Sequence, residues 1–309
     1  MKLLGFDIGG TKCAAVTALW DGERLTLGPR VECPTDHTLT GAAMAERLFS
    51  LAEKMPGTPD AIGISCGGPL DAVHGVVESP PNLPTWQGVP IAAMARERFG
   101  APARLVNDAN AGAVAEWKFG AGRGLSHLVF LTFGTGLGAG LILNGRLYEG
   151  ASGNAGEVGH VRLAEDGPLG FGKRGSFEGF CSGGGIARLA EQMAKEATEP
   201  PAYMRGPITA KSVAEAARAG DAVAREVFRI SGERLGEGLA MLVDILDPEA
   251  IIAGSMLVRC YDLLWEHAER TLRREALGGA LSRCRILPAA LGERVGDYAA
   301  LGAALMNEV

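Results

Sequence analysis

Two glycine-rich turns of the sequence carry residue types that could bind phosphate groups. The first, FDIGGTK (residues 6–12), sets Asp7 before two glycines, a hydroxyl and an ammonium. Backbone N–H groups at such a turn can bind phosphate oxygens, and a neighbouring carboxylate can orient hydrated Mg²⁺. The second turn, FGTGLGAG (residues 133–140), could hold the other end of a polyphosphate through Gly134, Thr135 and Gly136. Neither turn is a Walker P-loop, and each alone is also compatible with an ordinary hairpin.

A carboxylate follows a predicted strand in LVNDANAGAVAE, where Asn107 and Asp108 stand between a strand end and a helix start. Phosphoryl transfer to an alcohol requires a group that orients the hydroxyl and accepts its proton as the phosphate arrives. Asp108 is the candidate for that group. A structural role is the alternative, because aspartate is also a favoured helix N-cap.

An acid and an imidazole lie close together in GNAGEVGH, with glycines on either side. Glu157 and His160 could hydrogen-bond adjacent sugar hydroxyls. An ordinary surface histidine is the alternative for His160. The ExxH spacing could also hint at a metal, but HExxH is absent and no second histidine is near, which disfavours that interpretation.

The segments around these residues predict alternating strands and helices. KLLGFDIGGTKCAAVTAL and HLVFLTFGTGLGAGLIL each read as two short strands joined by a glycine-rich turn. Between them, DAIGIS and ARLVN read as buried strands, and GAAMAERLFSLAEKM and ANAGAVAEWKFG as helices. Since the strand–turn–strand unit occurs twice, we expect two α/β domains of related topology with a boundary near residues 110–125.

The second half of the chain continues this pattern. We expect helices over residues 182–196, 211–246 and about 260–275, and a last helix from about Asp297. AIIAGS and RILPAAL read as strands, and TEPPAYMRGPIT reads as a loop because of its prolines and glycine.

The composition is that of a folded globular protein. Of 309 residues, 47% are apolar and 21% are charged, and the net charge of −6 provides no basic field for nucleic acid. The six cysteines form no CxxC pair, so we expect buried reduced thiols. No apolar run approaches the ~20 residues of a membrane span, and the N-terminal apolar stretch is too short for a signal peptide. We therefore expect a cytoplasmic protein.

Four of these segments, in this order, resemble the ROK family of sugar kinases and related repressors over essentially the whole chain. FDIGGTK resembles the family's first phosphate motif, and NDANAGAVAE its catalytic motif. FGTGLGAG with NGRLYEGASGNAGEVGH resembles its signature region, and IIAGS its adenosine-side segment. The resemblance implies an actin-like ATPase (ribonuclease H-like) α/β fold, with two domains flanking an active-site cleft. The implied domains are residues 1–115, with a C-terminal helix at about 297–309 packing back on them, and residues 116–296.

The resemblance also assigns site residues. Asp108 would be the general base, and Asp7 would bind Mg²⁺ through water. Sugar contacts would come from Gly67, Gly68, Asn82, Asn107, Asp108, Glu157, His160 and Glu178. ATP contacts would come from Asp7, Gly9, Gly10, Thr11, Lys12, Gly134, Thr135, Gly136 and Gly254.

One segment departs from the family pattern. Many members have a CxCGxxGCxE segment that binds structural zinc together with the histidine of the ExGH motif, whereas here the matching residues read LGFGKRGSFE. Leu169, Phe171 and Ser176 stand at the cysteine positions, and none of them replaces a thiolate. We therefore expect no zinc, and we expect apolar packing of Leu169 and Phe171 to shape the loop instead.

The resemblance implies an ATP- and Mg²⁺-dependent kinase that phosphorylates a hexose, with O6 of glucose as the first choice because SPPNLPTWQGVPI is similar to the segment found in glucokinases. Fructose, mannose, allose and N-acetylhexosamines remain open as acceptors. A non-catalytic sugar sensor on the same fold is the alternative of another class, and an actin-like ATPase without a sugar substrate is a weaker one. The repressors' N-terminal DNA-binding module has no room before Phe6, so nucleic acid is not an expected partner. The resemblance also suggests a homodimer.

Overall fold

The computed structural model describes residues 1–306. Along these residues the strands are β1 (Lys2–Ile8), β2 (Lys12–Trp20), β3 (Leu25–Pro34), β4 (Ala61–Cys66), β5 (Leu70–Asp71), β6 (Val76–Val77), β7 (Ala103–Asn107), β8 (Leu128–Phe133), β9 (Leu137–Leu143), β10 (Arg146–Leu147), β11 (Leu169–Gly170), β12 (Lys173–Arg174), β13 (Ala250–Ala253) and β14 (Arg285–Pro288). The helices are α1 (Gly41–Ala52), α2 (Ile91–Phe99), α3 (Asp108–Phe119), α4 (Phe177–Cys181), α5 (Gly183–Glu196), α6 (Ala210–Arg218), α7 (Ala222–Leu246), α8 (Met256–Arg259), α9 (Tyr261–Glu275), α10 (Gly278–Leu281) and α11 (Val295–Leu305). Short 3₁₀ turns cover Val158–His160, Ala202–Arg205 and Gly292–Arg294.

Most of the predicted elements are confirmed, and the exceptions have local causes. Both predicted strand–turn–strand units are present, as β1–β2 and β8–β9. The helix expected over residues 211–246 is divided, because Gly220 has a φ of +103° and Asp221 caps a new helix by accepting from Ala224 N. The last helix begins at Val295 and ends at Leu305. Residues 307–309 of its expected span lie outside the described part of the chain.

The chain divides into two compact units. The first contains residues 1–124, residues 149–153 and the residues from 290 onward, and the second contains residues 125–148 and 154–289. The domain limits expected from the sequence remain a prediction. Each unit has its own apolar core.

The main sheet of the first unit has the strand order β3–β2–β1–β4–β7, in which β1, β4 and β7 run parallel. Its register pairs Ile8 with Cys66 and Cys66 with Asn107. Parallel strands in register end at the same edge of a sheet, which is where α/β proteins bind ligands. Asp7 and Asp108 are therefore brought to the same edge, although they lie far apart in sequence.

The main sheet of the second unit repeats this arrangement in the order β10–β9–β8–β13–β14. Strands β8, β13 and β14 are parallel, and the register pairs Leu131 with Ala253 and Ala253 with Pro288. The carboxyl edge of this sheet carries the turn after β8 and Gly254 after β13.

Helix α11 packs directly on the sheet of the first unit. It is almost entirely buried and rich in alanine, so its backbone can approach β1 and β4 closely. Gly5 and Gly63 face it, and a Cβ on Gly5 would lie 2.9 Å from the Cβ of Ala300. The close approach therefore depends on glycine in the strands.

Two further expectations concern the whole chain. The six cysteines are free and buried, which confirms the expected reduced thiols. Within residues 1–306, no helix has both the length and the apolar character that crossing a bilayer requires.

A methyl group on Gly63 would overlap the backbone of α11 at Ala300 and Ala304. Overpacking against atoms that cannot rotate away costs about 1–3 kcal/mol, so we expect Gly63→Ala to lower the melting temperature measured by circular dichroism. Gly278→Ala is the control, because no atom lies within 4 Å of a Cβ at that position. Equal melting temperatures for the two variants would contradict close packing of α11 on β4.

Candidate active site

The glycine-rich turn of the first unit has its carbonyl oxygens bound on one side. Thr35 Oγ1 donates to Gly9 O at 2.6 Å, His37 Nε2 donates to Gly10 O at 2.9 Å, and Thr35 N donates to Thr11 O at 3.0 Å. In a trans peptide the following N–H points away from the carbonyl oxygen. The N–H groups of Gly10 and Thr11 therefore face the other side, and no acceptor in residues 1–306 binds them.

The glycine-rich turn of the second unit is held in the same way by a different element. Gly183 N donates to Gly134 O at 2.8 Å, and Gly184 N donates to Thr135 O at 3.2 Å. The N–H groups of Thr135 and Gly136 consequently point away from α5, and within the described residues neither has an acceptor. Both turns singled out in the sequence thus present free backbone donors, as phosphate binding requires.

The structure assigns the helix-capping role to Asn107 and not to Asp108. Asn107 is the N-cap of α3, and its Oδ1 accepts from Ala109 N at 2.9 Å. Asp108 is the first residue of the helix, and its Oδ1 accepts from the same Ala109 N at 2.8 Å. Its Oδ2 has no hydrogen-bond partner in residues 1–306 and faces Gly67, whose Cβ position lies 3.8 Å away. Asp108 is therefore anchored by one oxygen and free at the other.

The surrounding protein removes hydration from the Asp108 carboxylate, although the side chain still reaches solvent. This loss of hydration raises the pKa of Asp108 above its usual value, while the hydrogen bond from Ala109 opposes the shift. A raised pKa makes the carboxylate a better proton acceptor.

The other predicted sugar contacts of the first unit lie around the same edge. A Cβ on Gly68 would lie 3.3 Å from Asn107 Nδ2, so that amide faces the loop after β4. A Cβ on Gly10 would lie 2.8 Å from both the Cβ and the carbonyl oxygen of Asn82. The backbone of the phosphate turn thus packs directly against the residue expected to bind a sugar hydroxyl.

Asp7 lies in an acidic environment. Burial, together with the negative charges of Asp108 and Asp297, raises the pKa of Asp7 to about 6, although Arg30 and Lys12 oppose the shift. A carboxylate pair of this kind favours a bound cation.

Three residues close to Asp7 were not identified as site residues in the sequence analysis. A Cβ on Gly296 would overlap the Asp7 carboxylate, so the start of α11 lies directly against it. Asp297 is only 4% exposed and accepts from Arg30 Nε at 2.8 Å. The sequence offered a signal in the Gly-Asp pair that opens the last helix, but Arg30 is 267 positions away.

Lys12 and Gly254 were both expected to contact the nucleotide. Lys12 Nζ is exposed and lies 3.3 Å from Glu32, which also binds Arg30. Gly254 N donates to Leu131 O at 3.1 Å at the carboxyl edge of the second sheet. The structure therefore places Gly254 beside the end of β8, while the ammonium of Lys12 is paired with a carboxylate.

The predicted sugar-binding acid Glu178 is bound to the start of β9. Its Oε2 accepts from Leu137 N at 3.1 Å, and a Cβ on Gly136 would lie 2.9 Å from that oxygen. Gly159 packs between Leu137 and the Cβ of Glu178. The second phosphate turn, Glu178 and the 3₁₀ turn that ends in His160 therefore form one connected group. Glu157 and His160 are themselves exposed.

The loop without cysteines is not shaped by apolar packing, and that expectation was wrong. Leu169 is 46% and Phe171 69% exposed. Hydrogen bonds shape the loop instead, because the buried Ser176 caps α4 by accepting from Gly179 N at 3.1 Å. Lys173 Nζ donates to the carbonyl oxygen of His160 at 2.8 Å and ties the loop to the ExxH segment.

Known proteins resemble the chain over nearly its full length. A family model described as the ROK family matches residues 3–308. The glucokinase of Streptomyces coelicolor is 33% identical over 304 residues, which are 95% of this chain and 94% of that protein. The structure of the ROK hexokinase from Thermus thermophilus is 34% identical, with a TM-score of 0.82 and coverage of 99% of this chain and 98% of that one. A ROK family glucokinase from Streptomyces griseus, solved in complex with glucose and AMPPNP, is 33% identical, with a TM-score of 0.77 and coverage of 99% of each chain. These likenesses confirm the expected actin-like α/β fold class.

The charge of Asp297 can be removed to test the electrostatics of Asp7. Asn at position 297 keeps an acceptor for Arg30 but removes a negative charge that raises the pKa of Asp7. We expect Asp297→Asn to lower that pKa from its value of about 6. The measurement is a carboxyl ¹³C NMR titration in which the Asp7 signal is assigned with Asp7→Asn.

Glu293→Gln is the matched control for this titration, because Glu293 precedes the same helix but is exposed, where solvent screens its charge. We expect it to leave the Asp7 titration unchanged. A titration that moves equally in both variants, or in neither, would contradict the role of Asp297.

Proposed function

The chain belongs to the ROK family, and from that membership we propose that it is an ATP-dependent hexose kinase that transfers the γ-phosphate of ATP to O6 of glucose. The observation that carries the proposal is the Asp108 carboxylate, with Oδ1 bound to the start of α3 and Oδ2 free. A free carboxylate oxygen of raised pKa can accept the hydroxyl proton as well as bind the hydroxyl, and phosphoryl transfer requires both.

In the proposed reaction, Asp108 Oδ2 accepts a hydrogen bond from the O6 hydroxyl of the sugar. As the bond between O6 and the γ-phosphorus forms, the bond from that phosphorus to the β-phosphate oxygen breaks and the hydroxyl proton passes to Asp108. The products are a hexose 6-phosphate and ADP. The hydrogen bond from Ala109 N to Oδ1 orients the carboxylate, so the protein contributes mainly positioning.

In each unit taken by itself, the free N–H groups of the glycine-rich turn would bind phosphate oxygens of ATP. Gly10 and Thr11 provide them in the first unit, and Thr135 and Gly136 in the second. Their donors need no reorientation when charge develops on the transferred phosphate, because hydrogen bonds on the opposite side already fix the peptides.

Asp7 and Asp108 fit a hydrated Mg²⁺ ion. Both provide carboxylate oxygens, and the charge of Asp108 raises the cost of ionising Asp7, which a dication would offset. When bound, Mg²⁺ would neutralise charge on the phosphates.

The proposed sugar contacts are the set expected from the sequence: Gly67, Gly68, Asn82, Asn107, Asp108, Glu157, His160 and Glu178. Glu178 retains one oxygen for this purpose, because only Oε2 is used by Leu137. Glucose is proposed because the glucokinase of Streptomyces coelicolor and the glucose-bound enzyme of Streptomyces griseus are similar over nearly the whole chain. The homodimer, the cytoplasmic location and the lack of nucleic-acid binding stay predictions.

We expect Asp108→Asn to reduce kcat by at least about a hundredfold, the usual contribution of a general base, with little change in sugar affinity. The measurement is a coupled ADP-release assay with Mg-ATP on a panel of hexoses and N-acetylhexosamines, with sugar affinity obtained by calorimetry. Asp21→Asn is the control, because Asp21 caps an exposed hairpin through backbone hydrogen bonds that asparagine can also accept.

Each outcome of that assay has a distinct meaning. Turnover on one sugar that is lost in Asp108→Asn supports the kinase and names its acceptor. Near-normal turnover in Asp108→Asn would refute the role of Asp108. Sugar binding by the wild-type protein without turnover on any acceptor would favour the non-catalytic sensor.

We also propose that the chain holds no structural zinc. The support is the replacement of the three cysteines and the hydrogen bonds of Ser176 and Lys173, which organise the loop without a metal. We expect plasma emission spectroscopy of protein repurified after chelator treatment to find well under one zinc per chain. About one zinc per chain would overturn this proposal and leave the kinase assignment intact.

A further inference from the structure

Phe171 occupies a position in the β11–β12 hairpin that does not suit an aromatic residue. Strand pairing of Gly170 with Lys173 leaves a two-residue loop between them. Both loop residues have positive φ angles, +39° at Phe171 and +77° at Gly172. Loops of this kind favour Asn-Gly or Asp-Gly, and a bulky side chain at positive φ strains the backbone. The hairpin itself therefore gains nothing from phenylalanine at this position.

Burial does not account for the residue either. The Phe171 side chain is 69% exposed, so little of its apolar surface is removed from water. Residues that break the rules of local conformation and burial occur mainly at functional sites, where another gain offsets their cost. The contact made by the phenyl ring identifies what that gain is.

The ring of Phe171 contacts the imidazole of His160. The two ring centroids are 6.3 Å apart and the ring planes meet at 75°, an edge-to-face arrangement that aromatic pairs favour. On the same hairpin, Lys173 Nζ donates to the carbonyl oxygen of His160 at 2.8 Å. The hairpin therefore contacts both the side chain and the main chain of His160.

The imidazole of His160 is otherwise unrestrained. The residue is exposed, and among residues 1–306 no group forms a hydrogen bond with its ring nitrogens. Ordering an exposed, rotating side chain on ligand binding costs free energy. The contact with Phe171 limits this rotation and uses neither ring nitrogen. Both nitrogens of an already oriented ring thus stay available for a ligand.

We propose that Phe171 is a positioning residue that orients the imidazole of His160 toward a hydroxyl of the acceptor sugar. The inference rests on the proposed kinase function, in which His160 is a sugar contact. The role belongs to the phenyl ring and acts through His160. Sugar binding then loses less side-chain entropy, because the imidazole is ordered before the sugar arrives.

The test compares Phe171→Asn with Phe171→Tyr and measures the melting temperature and the Kd for glucose, or for the acceptor that the turnover panel identifies. Asparagine suits positive φ, so we expect Phe171→Asn to be at least as stable as the wild type. Its Kd for the sugar should nevertheless rise about 3- to 10-fold, the effect of ordering one side chain on binding. Phe171→Tyr keeps the ring and should bind normally. Leu169→Asn is the matched control, because Leu169 is the other exposed large apolar residue of the hairpin, and it should also bind normally.

The background of His160→Ala separates positioning from direct contact. There Phe171→Asn should weaken sugar binding no further, because the group that it orients is gone. A further loss of similar size would overturn the proposal, since it would indicate a contact between the phenyl ring and the sugar. NMR of the ligand-free protein gives a second measurement. The imidazole proton signals of His160, assigned with His160→Ala, should move in Phe171→Asn and stay in place in Phe171→Tyr.

Three other outcomes would also overturn the proposal. They are a sugar affinity of Phe171→Asn within about twofold of the wild type, equal losses in Phe171→Asn and Phe171→Tyr or in Phe171→Asn and Leu169→Asn, and His160 signals that Phe171→Asn does not move. If His160→Ala binds sugar too weakly to measure, these signals decide. A wild-type protein that binds no hexose would instead contradict the kinase function itself, and the role of Phe171 would fall with it.

Discussion

The candidate site depends on hydrogen bonds that hold the carbonyl oxygens of each glycine-rich turn on one side. In the first unit the acceptors are bound by Thr35 and His37, which follow β3. In the second unit they are bound by the start of α5. Because peptides are planar and trans, fixing the oxygens also fixes the direction of the next N–H groups. Two different elements thus fix the orientation of the two turns, and each turn presents a pair of N–H donors to which phosphate can bind.

The in-register pairing of parallel strands brings two carboxylates to the edge of the sheet that carries the first of these turns. Asp7 lies near the end of β1, and Asp108 follows the end of β7, two strands away at the same edge of the sheet. Helix α11 then covers the sheet so closely that Gly63 and Gly296 tolerate no side chain. The packing of α11 therefore limits the position of the Asp7 carboxylate, so the same contacts that stabilise the first unit also position this charged group.

Local features of the site could be predicted from the sequence, because glycine spacing and apolar runs report the conformation of the residues that carry them. The two turns and their flanking strands are examples. Whether Asn107 or Asp108 caps α3 could not be predicted, since both are good caps and the choice depends on where β7 ends. The Arg30–Asp297 pair joins residues brought together only by the tertiary fold. The packing expected of Leu169 and Phe171 was wrong because their hydrophobicity does not reveal that Ser176 and Lys173 already organise the loop.

The acidity around Asp7 has an energetic consequence that argues for a cation. Its pKa of about 6 in the folded protein lies above the usual 3.8, and a shift of that size costs on the order of 3 kcal/mol when the carboxylate is ionised. The folded protein favours the protonated form of Asp7 more than the unfolded chain does. Protonated Asp7 therefore adds to the free energy of unfolding below about pH 4, and this contribution is lost as the pH rises through about 6. At neutral pH the fold therefore tolerates an ionised Asp7 next to Asp108 and Asp297 at a real cost. Apolar residues would avoid that cost, but they could not orient a hydrated dication. This electrostatic cost is understandable if Mg²⁺ binds together with the nucleotide. The dication would offset the repulsion among the carboxylates and the added negative charge of the phosphate chain.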